Sequence, residues 1–142
     1  MTVFDRLRDW LDQGRSVQRV ADDMQLTSEL ILLVRMMFAD DELKQRELQT
    51  FKRICQTAFG IPEDDVPAVI QYLKEIGYET TAADAAEMFR GMSDDRKRTL
   101  LLHMLSIAKA DDEVSESEAK LIRKTAEVLG LTADDIAAAR NG

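Results

Sequence analysis

The stretch Leu30-Ile31-Leu32-Leu33-Val34-Arg35-Met36-Met37-Phe38, followed by Ala39-Asp40-Asp41-Glu42-Leu43 and then Glu47, decides the reading of this chain because its pattern occurs twice. At an offset of 71 residues (39 to 110), Leu101-Leu102-His103-Met104-Leu105-Ser106-Ile107-Ala108-Lys109 runs into Ala110-Asp111-Asp112-Glu113-Val114 and Glu118. A run that is apolar almost all round predicts a central, buried helix, and the acidic phrase after it predicts a polar loop. Downstream, Phe51 to Ile54 falls on Ile122 to Thr125. Gly60-Ile61-Pro62-Glu63-Asp64-Asp65-Val66 then matches Gly130-Leu131-Thr132-Ala133-Asp134-Asp135-Ile136 at an offset of 70 (60 to 130). Helix, acidic loop, helix, glycine stop and helix start, written twice, predict two equivalent helical units packed together.

Outward from these repeats the spacing of apolar residues is helical throughout. Val3, Phe4, Leu7, Trp10 and Leu11 form a first stripe that Gly14 is expected to end, and a short helix from Ser16 to Met24 turns Val17, Val20, Ala21 and Met24 inward. Thr27 or Ser28 is the expected cap of the helix that runs to Phe38. Leu48, Phe51, Ile54, Cys55 and Ala58 face inward on a helix ending near Gly60. Pro62 then suits the first position of the next helix, whose core residues are Val66, Val69, Ile70, Leu73 and Ile76 before Gly77. Thr81 with Asp84 opens a connecting helix carrying Ala85, Met88 and Phe89 up to Gly91, and Ser93 caps the second buried helix. A helix from Ser115 to Leu129 and a short one from Thr132 finish the chain. No segment alternates long enough for a strand. The expectation is an all-α, single compact domain, 1–142, of about seven to nine helices. Within it lie N-terminal helices 1–25, repeat one at about 27–76, a connecting helix at about 80–91 and repeat two at about 93–140.

Composition narrows the function classes. A chain of 142 residues with 45% hydrophobic content can bury a core without staples. Cys55 is the only cysteine and His103 the only histidine, so neither an intramolecular disulfide nor a Cys/His zinc set can form, and a reducing compartment is expected. Asp5, Arg6, Arg8, Asp9 and Asp12 interrupt the first residues, unlike a secretory leader, and the longest apolar stretch, Leu30 to Val34, is too short to span a bilayer. Cytoplasmic residence is the expectation, with peripheral docking at the inner membrane face left open. A net charge of −8 repels phosphate backbones, so nucleic acid is not expected as a partner, and divalent cations or basic protein surfaces are.

The acidic loops admit two explanations. Clustered carboxylates supply the hard oxygen ligands that Ca²⁺ or Mg²⁺ prefers. Between Lys109 and Lys120 lie five acids, Asp111, Asp112, Glu113, Glu116 and Glu118, with no base, whereas Lys44 and Arg46 dilute the first loop. Neither loop is an EF-hand: counting from Asp111, position six is Glu116 where glycine is needed, and position twelve is Ile122 where a bidentate glutamate is needed. The alternative is helix capping. Ser115-Glu116-Ser117-Glu118 reads as a capping box, which explains Glu118 without a ligand. Glu47 lacks that explanation, because Lys44 at the cap position cannot accept the backbone hydrogen bond.

The other chemistry-bearing residues read as structural. Asp64-Asp65, Asp94-Asp95 and Asp134-Asp135 complement helix dipoles. His103, which aligns with Leu32, is expected at the core or its edge, and Cys55, which aligns with Ala126, as a small buried thiol. Met36, Met37, Met88, Met92 and Met104 fill core gaps more readily than they line a groove. No phosphate loop, nucleophile elbow or HExxH is present, and one histidine cannot supply the Glu-x-x-His sets of di-iron bundles, so no enzyme is expected.

Ala39-Asp40-Asp41-Glu42-Leu43 with Glu47, Ala110-Asp111-Asp112-Glu113-Val114 with Glu118, and the Gly60 and Gly130 stops resemble the TerB-like tellurite-resistance family, which is related to the N-terminal region of a membrane-anchored DnaJ-type co-chaperone. The resemblance covers Thr27 to Ala139. It implies an all-α fold of two pseudo-symmetric halves and an association with tellurite resistance, stress response and metal-linked membrane complexes. It also implies Asp40, Glu42, Glu47, Asp111, Glu113 and Glu118 as the positions that hold a divalent cation. The chain departs from the usual Ala-Asp-Gly phrase in having Asp41 and Asp112 where glycine is common. Two functions are therefore expected: a non-enzymatic domain whose acidic loops bind a cation and modulate protein assembly, or a metal-independent interaction module that docks an acidic surface on other proteins.

Overall fold

The apolar run at residues 30–37 sits at the centre of the molecule, and the other helices are arranged around it. The computed structural model describes residues 14–39, 44–77, 87–89, 91–111 and 114–141, and among these every regular element is helical. Residues 14–22 form α1, Met24–Met37 α2 and Gln45–Phe59 α3. A 3-10 turn, Glu63–Asp65, leads into α4, Val66–Gly77. Then follow α5, Asp94–Ala108, prolonged by a 3-10 turn Lys109–Asp111, α6, Glu116–Leu129, and α7, Ala133–Asn141.

Every residue of α2 from Leu26 to Val34 is buried, as are Met36 and Met37, so this helix has almost no solvent face. It packs most extensively on α5, its repeat mate, while α4 closes over α2 and α7 closes over α5. Leu30, Leu33, Leu101 and Met104 meet there with Phe51, Val69, Leu73 and Ile122 in one hydrophobic core. Burying each such side chain is worth about 1.5–3 kcal/mol, which makes this contact the main source of stability.

Positions related by the repeat offset are buried alike: Glu47 and Glu118, Phe51 and Ile122, Ile54 and Thr125, Cys55 and Ala126. Both units also end alike. Gly60 (φ 64°) and Gly130 (φ 75°) adopt the left-handed conformation that stops α3 and α6. Beyond each, Ile61 N–H reaches Cys55 O and Leu131 N–H reaches Ala126 O, both at 2.9 Å, satisfying carbonyls that the helix end would orphan.

Some boundaries differ from those the sequence predicts. Gly14 is the first described residue of α1, which continues from it to residue 22. Asp23, and neither Thr27 nor Ser28, caps α2: its carboxylate accepts from Gln25 and Leu26 N–H, each at 3.1 Å. Thr27 instead turns its hydroxyl back to donate to Val20 O, which ties α2 to α1. Pro62 precedes a 3-10 turn, and α4 proper starts only at Val66. The stripe Val3, Phe4, Leu7, Trp10 and Leu11, and the helix start at Thr81, Asp84 and Ala85, lie outside the described residues, whereas Phe89 at the end of that connection is buried in the core.

Candidate cation site

Glu118 stands in the first turn of α6 because Ser115 starts the helix. The Ser115 hydroxyl accepts from Glu118 N–H at 3.1 Å, and Glu118 Oε1 accepts from Ser115 N–H at 3.1 Å, completing the capping box. That uses one carboxylate oxygen. The residue is 0% exposed, and Oε2 is buried with no hydrogen-bond partner among the described residues. Leaving a charged, buried acceptor unsatisfied costs more than the roughly 1–3 kcal/mol of a neutral one, so this oxygen is the least explained polar atom of the site.

Glu47 occupies the corresponding turn of α3 and is 1% exposed. Lys44 at its N-cap makes no side-chain capping bond, so the reciprocal box of α6 has no counterpart in α3. Burial of both glutamates therefore follows from the repeat, and Glu118 is in addition held by a reciprocal cap.

Arg96, in the first turn of α5, donates to Glu29 Oε1 at 2.9 Å and to Gln25 Oε1 at 3.3 Å, both in the first half of α2, so the two buried helices begin side by side. The turn Lys109–Asp111 after α5 in turn packs against α3, the helix that follows α2. Of the six expected ligands, Glu47 and Glu118 are placed in full. Asp111 ends its 3-10 turn with its side chain outside the description, and Asp40, Glu42 and Glu113 lie outside the described residues. Among the described residues no group of three or more His, Cys, Asp or Glu is close enough to hold a metal ion. Among the described residues, the feature that fits a cation is thus the buried, hard carboxylate oxygen of Glu118.

The remaining polar residues have structural roles. Asp65 does more than complement a dipole: it is 5% exposed and accepts from Ser16 Oγ at 2.5 Å, fastening α1 to the start of α4. Asp135 accepts from Thr132 N–H at 2.9 Å, and the N–H and hydroxyl of Thr132 hold its carboxyl below the usual range. His103 is half-buried and edge-on to Phe59, with ring centroids 5.9 Å apart, and desolvation lowers its pKa. Burial pushes the Cys55 thiol up to about 12, which makes it unreactive as a nucleophile. The Arg96–Glu29 pair escaped the sequence reading, although Arg96 and Gln25 are themselves repeat mates, an available signal for a contact across the helix pair. Among the described residues no helix is long and apolar enough to cross a membrane.

Comparison with known proteins agrees with this architecture. No curated protein matches the chain. A crystal structure of a protein of unknown function from Porphyromonas gingivalis W83 is similar, with a TM-score of 0.59 and 22% identity over 83% of this chain and 91% of that one, a likeness that shows the fold. The family model described as tellurite resistance protein TerB matches residues 25–141, which takes in both buried helices, both acidic phrases and both glycine stops. The chain belongs to the TerB family.

Proposed function

We propose that this TerB domain is a non-catalytic, cation-responsive module of a tellurite-resistance or stress-response system. In it Glu118, helped by Glu47 and the acidic phrases at Asp40, Glu42, Asp111 and Glu113, binds a divalent cation and so modulates assembly with other proteins. The observation that carries this reading is the buried Glu118 Oε2, which has no partner while its sister oxygen is committed to the helix cap. A cation there would supply the missing partner and, by ordering the chain around it, change the surface offered to other proteins. Ca²⁺ and Mg²⁺ suit such a site, because every candidate ligand is a hard carboxylate oxygen.

The test is a thermal melt of EDTA-stripped protein titrated with Ca²⁺, Mg²⁺, Mn²⁺ and Zn²⁺, repeated on Asp111→Asn/Glu113→Gln. A ligand that binds only the folded form must stabilise it by about 2.7 kcal/mol at a hundredfold excess over Kd, a rise in melting temperature that the variant should lose. A wild-type protein indifferent to all four ions would refute the proposal and leave the acidic phrases as caps and docking surface.

A further inference from the structure

Where α3 crosses the end of α5, a pocket of about 440 Å³ opens, lined by Thr50, Arg53, Leu102, Leu105, Ser106 and Lys109. It falls within the size range of small-molecule sites, and its chemistry is unusual for a chain of net charge −8. Two cations stand at the rim, Arg53 and Lys109, both exposed. Among the described residues no carboxylate pairs with Arg53. Leu102, 40% exposed, supplies an apolar wall. Thr50 and Ser106 each donate a hydroxyl proton to a carbonyl one turn back, Arg46 O and Leu102 O at 2.9 Å, so toward the pocket they present lone pairs.

The internal repeat indicates what makes the space. Positions 50, 106 and 109 correspond to Leu121, Arg35 and Phe38 in the other unit, all bulkier than Thr50 and Ser106, and Leu121 and Phe38 pack against the core. Short hydroxyl side chains stand where the other repeat has large ones.

We infer that this pocket binds a small organic monocarboxylate with a short apolar body, the carboxylate on the Arg53 fork and the apolar part on Leu102 and Leu105. The guanidinium presents paired donors that match a carboxylate. A phosphate dianion is disfavoured on two counts: it feels the chain's negative field twice as strongly, and its extra oxygens would face the lone pairs of Thr50 and Ser106. The pocket adjoins the proposed cation site, Lys109 standing two residues before Asp111 and Thr50 three after Glu47, so the titration excludes metal.

Hexanoate serves as the probe, titrated into ¹⁵N-labelled protein in the presence of EDTA, with hexanol and inorganic phosphate alongside. The expected result is a saturable set of shifts confined to the amides around Thr50, Arg53, Ser106 and Lys109, with both control compounds binding more weakly. Arg53→Gln, on an exposed face, and Ser106→Leu, which fills the space, should each weaken hexanoate about tenfold. Lys124→Gln, at the repeat mate of Arg53, makes the same charge change elsewhere and should leave binding intact. The spectra report that each variant is folded. The inference is overturned by absent or non-saturating shifts, by binding that survives both pocket variants, by an equal loss in Lys124→Gln, or by phosphate binding as tightly as hexanoate.

Discussion

Each oxygen of Glu118 has a different environment: Oε1 accepts a backbone N–H and Oε2 has no partner. Glu118→Gln separates the two roles, because glutamine at this position still completes a capping box but carries no charge. Without cations the variant should melt no lower than the wild type, since a neutral buried amide is cheaper than a buried carboxylate, and its melting temperature should ignore added Ca²⁺ or Mg²⁺. His103 gives a pH prediction. Burial lowers its pKa from the ordinary 6.5, so as pH falls the unfolded chain takes up the proton before the folded one does. Its contribution is intact above 6.5 and is lost as pH drops from there through the folded-state value. Replacing it by leucine, the residue at its repeat mate, should flatten the fall in melting temperature across that window. Equal slopes in the two proteins would show that His103 is not the titrating group. The sequence made both residues legible as types, a capping-box glutamate and a core-edge histidine. It could not show that one glutamate oxygen lacks a partner, because that depends on how tertiary packing closes over the first turn of α6.

At the scale of elements, the helix ends explain where the boundaries fall. Gly60 and Gly130 were readable as stops because only glycine adopts the left-handed turn without strain. Gly130→Ala should destabilise by about 1 kcal/mol, measurable as a shift of the denaturation midpoint at unchanged slope. A Cβ there meets no atom within 4 Å, so backbone strain alone would be read. The α2 cap was misread for a physical reason. Asp23, Thr27 and Ser28 all have capping chemistry, and the choice of Asp23 follows from Thr27 being pulled back onto Val20 O by packing against α1.

Across the whole molecule, α2 and α5 start side by side, and the Arg96–Glu29 pair helps fix that arrangement. Glu29 is 4% exposed, so Arg96→Ala would strand a buried carboxylate, and a loss of about 1–2 kcal/mol is expected after allowing for the exposure of the arginine. A chemical-denaturation series on Arg96→Ala and Arg96→Ala/Glu29→Gln would test this, the double variant recovering part of the loss. The fold class was legible because the repeat is written in long apolar runs. The pocket between α3 and α5 was not, because it arises from residues distant in the sequence, Thr50 and Arg53 against Leu102 to Lys109, that meet only after packing.

The central claim, that Glu118 Oε2 is a cation ligand, is tested most directly by following the Glu118 side-chain carboxyl carbon by NMR while EDTA-stripped, ¹³C-labelled protein is titrated with Ca²⁺ and with Mg²⁺. A saturable shift of that resonance, absent from Glu118→Gln, is the predicted result. A Glu118 carboxyl that stays fixed while both ions are raised to saturation of any other change would contradict the account.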